Sequence, residues 1–224
     1  MTVPFYVPPE QLMKDRAEYA RKGIARGKSI AAVEYADGIL LVAENPSGTL
    51  HKIGEIYDRI AFAGAGKYSE FEALRVAGIR HADLKGYSYA RSDVTAKSLA
   101  NAYSHALGQI FTQEVKPYEV GIMLAEVGDT TAGNLLFKIT YDGTLSADDH
   151  VAVIGGQEDQ LAALLRQSYR TEAPLAEAVR WAVAAFQTVG GRTFEVHEWE
   201  AAVVDRTLGR RAFRRLAASE MGGA

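Results

Sequence analysis

The stretch Lys28-Ser-Ile-Ala-Ala-Val-Glu-Tyr-Ala-Asp-Gly-Ile-Leu-Leu-Val-Ala-Glu44 holds two short apolar runs, 30–35 and 39–43, divided only by Ala36-Asp37-Gly38. An Asp-Gly pair between β-prone runs predicts a tight hairpin, because such turns need residues that accept positive φ. Both runs are too continuously apolar for a sheet with one wet face, so the hairpin is expected to be buried on both sides. That places it at the centre of a layered domain.

The chain of 224 residues is long enough for one large domain with a sizeable core. A formal net charge of −3 argues against nucleic acid or an anionic membrane as the main partner. The absence of cysteine removes disulfides, thiolate metal sites and a cysteine nucleophile, and fits a reducing compartment. No apolar run reaches the roughly 18 residues of a membrane span, and Met1–Pro9 lacks the pattern of a signal peptide, so a cytoplasmic protein is expected.

Around the hairpin the elements follow in order. Residues 1–9, with Pro4, Pro8 and Pro9, are read as an extended or mobile segment. A helix of about four turns should run over 9–26, stopped by Gly27, with Met13, Ala17, Ala20 and Ile24 on one face. Strands are predicted at Leu50–Ile53 and Ile60–Ala65, then a helix over 68–82 with Phe71, Leu74 and Ile79 inward. The stripe Leu99, Ala102, Tyr103, Ala106, Leu107, Ile110 and Phe111 has helical period, with Ser92 or Asp93 as its cap. Strands return at Val120–Val127, Leu135–Tyr141 and Val151–Ile154, followed by helices 158–168 and 174–188. Ala201–Val204 is predicted as a last strand and Arg210–Ser219 as a basic terminal helix. Blocks of strands joined by hairpin turns imply antiparallel sheets, and two helix pairs imply a four-layer α-β-β-α sandwich of the α+β class. The expected division is a segment 1–9, one domain over 10–216 and a flexible tail over 217–224.

Some local patterns invite chemistry and fail on inspection. Gly64-Ala-Gly-Lys67 resembles part of a phosphate loop, but Ala61 replaces the first glycine and Tyr68 the Ser/Thr, while Ser69 spoils the dinucleotide fingerprint. The histidines at 51, 81, 105, 150 and 197 lack metal-ligand spacing. Asp148-Asp149 and Glu198/Glu200 read as solvated carboxylates beside turns.

Long motifs give a further reading. Glu18-Tyr-Ala-Arg-Lys-Gly-Ile-Ala-Arg-Gly27, Lys28–Glu44, Leu41-Val-Ala-Glu-Asn-Pro46, Tyr57-Asp-Arg59, Asp93-Val-Thr95, Leu99-Ala-Asn-Ala-Tyr103, Lys116-Pro-Tyr-Glu-Val120, Ile139-Thr-Tyr-Asp-Gly143 and Arg210-Arg-Ala-Phe-Arg-Arg215 spread over nearly the whole chain. Together they resemble proteasome α-type subunits of actinobacteria, within the N-terminal-nucleophile hydrolase superfamily. In the β-type relatives a threonine begins the mature chain; its hydroxyl attacks and its own α-amino group takes the proton. By this resemblance Lys28 stands at the threonine position, with Ser29 next to it. Glu44 stands for the family's aspartate and Lys52 for its lysine. An internal residue has an amide nitrogen that is no base, so the chain should be inert and need no cofactor or metal.

The resemblance implies seven copies in a ring, two such rings capping two β-type rings, and a gate built from Val3, Phe5, Tyr6 and Val7. It also implies that Lys52, with Gly66 and the adjoining Lys67, lines a pocket for the C-terminal carboxylate of an ATPase ring or other activator. Proteins tagged by the ubiquitin-like protein Pup would be the substrates in transit. The rival enzyme reading is self-cleavage before Ser29, freeing an N-terminal serine; a second rival makes Gly64–Lys67 a nucleotide site.

Overall fold

In the computed structural model, which describes residues 8–221, the hairpin forms as β1 (Ile30–Tyr35) and β2 (Gly38–Glu44). The strands pair antiparallel from Ile30 opposite Ala43 to Tyr35 opposite Gly38, and every residue of both is buried. Alternate side chains go to opposite faces. Ala31, Val33, Tyr35, Leu40 and Val42 join one core, while Ile30, Ala32, Ile39, Leu41 and Ala43 join another. The apolar continuity of the two runs therefore has a simple cause: each face meets its own layer.

The remaining strands are β3 (Ile53–Tyr57), β4 (Ile60–Gly66), β5 (Val120–Glu126), β6 (Leu135–Ile139), β7 (Leu145–Asp148), β8 (Val151–Ile154), β9 (Trp199–Asp205) and β10 (Phe213–Arg215). One sheet has the order β10-β9-β2-β1-β8 and the other β3-β4-β5-β6-β7, with all pairings antiparallel. The helices are α1 (Pro9–Ala25), α2 (Tyr68–Ser88), α3 (Ala96–Gln113), α4 (Glu158–Ser168), α5 (Leu175–Gly190) and α6 (Ala218–Met221). Helices α4 and α5 cover the hairpin sheet through Leu161, Leu165, Val179 and Phe186, and α2 and α3 cover the other through Phe71, Leu74, Leu99 and Leu107. The result is the expected α-β-β-α sandwich. Helix α1 lies outside the layers and packs on β4 and β5.

Between α2 and α3, the buried Tyr103 hydroxyl donates to the Leu74 carbonyl at 2.9 Å. A Cβ on Gly78 would lie 1.8 Å from that hydroxyl oxygen, so the small residue makes room for the bond. Tyr103→Phe is expected to cost about 1 kcal/mol, the net value of one buried hydrogen bond. Urea denaturation of the two chains measures it, and an unchanged midpoint would refute it.

Several expectations are corrected. Residues 210–219 do not form one helix. Phe213, Arg214 and Arg215 pair with Val204, Val203 and Ala202 as the edge strand β10, and only Ala218–Met221 is helical. The unpaired edge of β9 outweighs the helix propensity of arginine and alanine, because a buried strand must satisfy its backbone groups. The tail expected from 217 thus begins with a short helix whose Met221 is buried. Leu50–Lys52 is a loop, the strand starting at Ile53 instead. Strand β7, absent from the sequence reading, is largely exposed and shows no apolar pattern. Thr95, and not Ser92 or Asp93, caps α3, its hydroxyl accepting from the Ser98 amide at 3.2 Å. Helix α2 continues six residues past 82, to Ser88. The gate residues Val3, Phe5, Tyr6 and Val7 lie outside the described residues.

Candidate functional site

The end of α1 turns through Arg26 and Gly27 directly into β1, bringing Lys28 and Ser29 to the mouth of a cavity of about 470 Å³. Glu44, at the end of the neighbouring strand, lines the same cavity with Gly156 and Arg192. The Lys28 ammonium lies 2.9 Å from Glu44 Oε1 and the Arg192 guanidinium 3.0 Å from the same oxygen. Lys52 Nζ donates to the Glu44 main-chain carbonyl at 2.8 Å. The residues that the resemblance placed at a degenerate active site, Lys28, Ser29, Glu44 and Lys52, therefore do converge.

What converges is a cluster of cations around one carboxylate, without a nucleophile. Lys28 is an internal residue whose nitrogen is an amide. The Ser29 hydroxyl donates to the Gly156 carbonyl, so it is held by a main-chain acceptor that cannot take its proton. A serine needs an adjacent base to attack a carbonyl, and its own amide gives none.

Lys52 is partly buried, and burial pulls its ammonium down to about 8 against the partial support of Glu200 and Glu44; the nearby charge of Lys28 adds to the lowering. Glu200, expected to be solvated, is instead 7% exposed. Its Oε2 accepts from the Lys52 amide at 2.9 Å and from Asn45 Nδ2 at 2.7 Å. Its Oε1 accepts from the Ile53 amide at 3.1 Å and from Arg215 at 2.9 Å. These bonds explain why Leu50–Lys52 is not a strand: its polar groups serve β9 and Asn45. Glu198 is only partly exposed, and hydrogen bonds from Arg192 hold its carboxyl down at about 2.

Gly66 and Lys67 lie further along β4, at its junction with α2. The Gly64 amide donates to the Lys52 carbonyl at 3.0 Å, which sets Lys52 two positions before Gly66 along the paired strands. Gly66 has φ +105°, and a Cβ there would lie 1.9 Å from the Glu119 carbonyl oxygen. Above it, a Cβ on Gly27 would come within 2.8 Å of the Gly66 nitrogen, so α1 seats directly on this bend. Lys67 donates its amide to Glu119 and places its ammonium 3.3 Å from Glu70.

Among the described residues no group of three or more His, Cys, Asp or Glu side chains is placed to hold a metal. His51 lies 3.3 Å from Glu200 and His150 2.7 Å from Glu34, each with a single carboxylate. The sequence reading missed Arg192, Asn45 and the role of Glu200. The only local cue for Arg192 is the Gly190-Gly191 helix stop before it, where Gly191 adopts φ +65°.

Two face-to-face antiparallel sheets between helix pairs, with a further helix running directly into β1, define the α-β-β-α sandwich of this chain. The family model described as "Proteasome subunit" matches residues 24–204. The proteasome subunit alpha of Acidothermus cellulolyticus is 54% identical over 226 residues, 99% of this chain and 97% of that protein. That of Kineococcus radiotolerans is 52% identical over 231 residues, 100% of this chain and 98% of that protein. For Geodermatophilus obscurus the identity is 50% over 230 residues, 99% of this chain and 80% of the relative. The chain belongs to the proteasome subunit family and to its non-catalytic α type. No helix among the described residues is long and apolar enough to cross a membrane.

Proposed function

We propose that this chain forms the outer, heptameric α ring of a cytoplasmic 20S-type core particle, stacked on β subunits that supply the threonine nucleophile. Residues 1–9 close the axial pore through Val3, Phe5, Tyr6 and Val7, and withdraw when an activator binds. Lys52, with Gly66 and Lys67, receives the C-terminal carboxylate of an ATPase ring or other activator that delivers Pup-tagged, unfolded proteins. Lys52 suits this because its ammonium is anchored on a main-chain carbonyl, leaving donor capacity for an incoming carboxylate in a partly desolvated setting.

The observation that carries the reading is the unbroken passage from α1 through Gly27 into β1. It makes Lys28, which the resemblance sets at the threonine position, an internal residue behind a packed helix. This also disfavours cleavage before Ser29, which would discard α1 and its seat on Gly66.

The test is a particle assembled from this chain and its β partner. Deleting residues 2–8 is expected to raise hydrolysis of an internally quenched nonapeptide several-fold without any activator. Unchanged hydrolysis by the assembled truncated particle would overturn the gate. Intact mass of the wild-type chain from the same particle should begin at Met1 or Thr2; a chain beginning at Ser29 would favour the serine hydrolase.

A further inference from the structure

The hydrogen bonds of Glu200 have a consequence for Lys52 that its family position does not supply. Residues 45–52 cross from one sheet to the other, and a loop of this kind has no ladder of its own to fix it. Here a single carboxylate on β9 holds both ends of the crossing. Asn45 Nδ2 bridges Glu200 Oε2 and the Leu50 carbonyl, each at 2.7 Å. At the far end the amides of Lys52 and Ile53 each donate to a different oxygen of the same carboxylate. Arg215 completes the clamp from the edge strand β10, one nitrogen on Glu200 Oε1 at 2.9 Å and the other on the Ile53 carbonyl at 2.8 Å.

We propose that Glu200, braced by Arg215, is the positioning residue that fixes the Lys52 main chain and so aims its ammonium at an incoming activator carboxylate. The inference rests on the reading of Lys52 as the receptor of that carboxylate. Glu200 itself does not touch the activator; it is buried behind the lysine. It acts in two ways. Its bonds to consecutive amides set the direction in which the Lys52 side chain leaves the backbone. Its charge keeps the ammonium protonated against burial. The other charged groups around Lys52 are Glu44 on β2 and Lys28 before β1, with Arg192 acting through Glu44 and His51 and Arg215 through Glu200.

The experiment uses the assembled particle. The probe is a synthetic octapeptide copying the C-terminus of the cognate proteasomal ATPase, with its C-terminal amide as control. The readout is stimulated hydrolysis of the quenched nonapeptide from pH 6.5 to 9. Glu200→Gln keeps the shape but makes one oxygen an NH2, which cannot accept from the amides it faces. The half-maximal peptide concentration should rise about tenfold, the scale of a lost charge-assisted bond. The alkaline limb of the response should also move to lower pH, because the lysine loses a supporting charge. A purely structural residue would reduce the yield of particle and leave that limb in place. Arg215→Lys keeps a cation but cannot span both acceptors, and should raise the half-maximal concentration without moving the limb as far. If Glu200→Gln yields no particle, the Arg215→Lys concentration shift decides the matter.

Lys52→Met separates the two levels of the argument. Loss of stimulation in Lys52→Met, with wild-type concentration and pH response in both Glu200→Gln and Arg215→Lys, would overturn this inference alone. A wild-type response in Lys52→Met would overturn the pocket reading beneath it.

Discussion

Gly66→Ala is expected to lower the stability of this chain by more than about 3 kcal/mol, among the largest single effects available here. Two costs add. At φ +105° an alanine sits in a region that L-residues rarely adopt, worth about 1–2 kcal/mol by itself. The new Cβ would also lie 1.9 Å from the Glu119 carbonyl oxygen, an atom fixed by its bond from the Lys67 amide. Neither partner is a flexible side chain, so relief requires β4 and the 114–119 segment to separate. Gly191→Ala is the control: its φ is +65° but nothing lies within 4 Å of a Cβ, so only the conformational cost of about 1 kcal/mol remains. Urea denaturation followed by circular dichroism should rank the two variants in that order. Equal stability of Gly66→Ala and wild type would refute the geometry.

This prediction changes what Gly66 means. By the family resemblance alone, the glycine is one wall of a pocket for an activator's carboxylate. The structure supplies a reason within the chain itself, since folding already excludes a side chain there. A docking defect in a Gly66 variant must therefore be measured on particles shown to be assembled, or it reports on the bend beneath α1.

The hairpin was legible because two apolar runs of strand length are split by a turn-prone step, although the turn itself falls on Ala36 and Asp37 without positive φ, and Gly38 opens β2 instead. Strand β7 was not, because Leu145–Asp148 pairs along a largely exposed edge and carries no burial signal. Arg210–Arg215 misled for the opposite reason. Its residues favour helix, yet the deciding fact is the open edge of β9, which the local sequence does not contain. The site divides in the same way. Lys28, Glu44 and Lys52 could be placed from motifs near one another in the chain. Glu200 and Arg192 each reach that group across 148 positions, so only the closed fold brings them to it. A carboxylate flanked by Trp199 and Ala201 looks like the rim of a strand until the crossing at 45–52 folds over it.

Lys52→Met should make the chain more stable while abolishing its response to an activator. The sign follows from the direction of the shift. A lysine whose folded value is near 8, below its ordinary 10.5, is disfavoured as a cation by the fold. That penalty is fully present below pH 8 and fades as pH rises from 8 toward 10.5, because the folded state releases its proton first. The shift converts to roughly 3 kcal/mol, but water still reaches the side chain and Lys52 keeps its bond to the Glu44 carbonyl, so a gain of about 1–2 kcal/mol at pH 7 is expected. Methionine fills much of the same volume, and Glu44 is not orphaned, since Lys28 and Arg192 remain within 3.0 Å of its Oε1. Wild-type stability should therefore climb toward the variant's as pH passes 8, while activator docking, which needs the ammonium, falls over the same range. Opposite trends in the two measurements on one protein, both absent from Lys52→Met, would identify the lysine as a charge kept for binding at a cost to the fold. A variant less stable than wild type at pH 7 would show that the ammonium serves the fold, and a wild-type activator response in it would show that the carboxylate docks elsewhere.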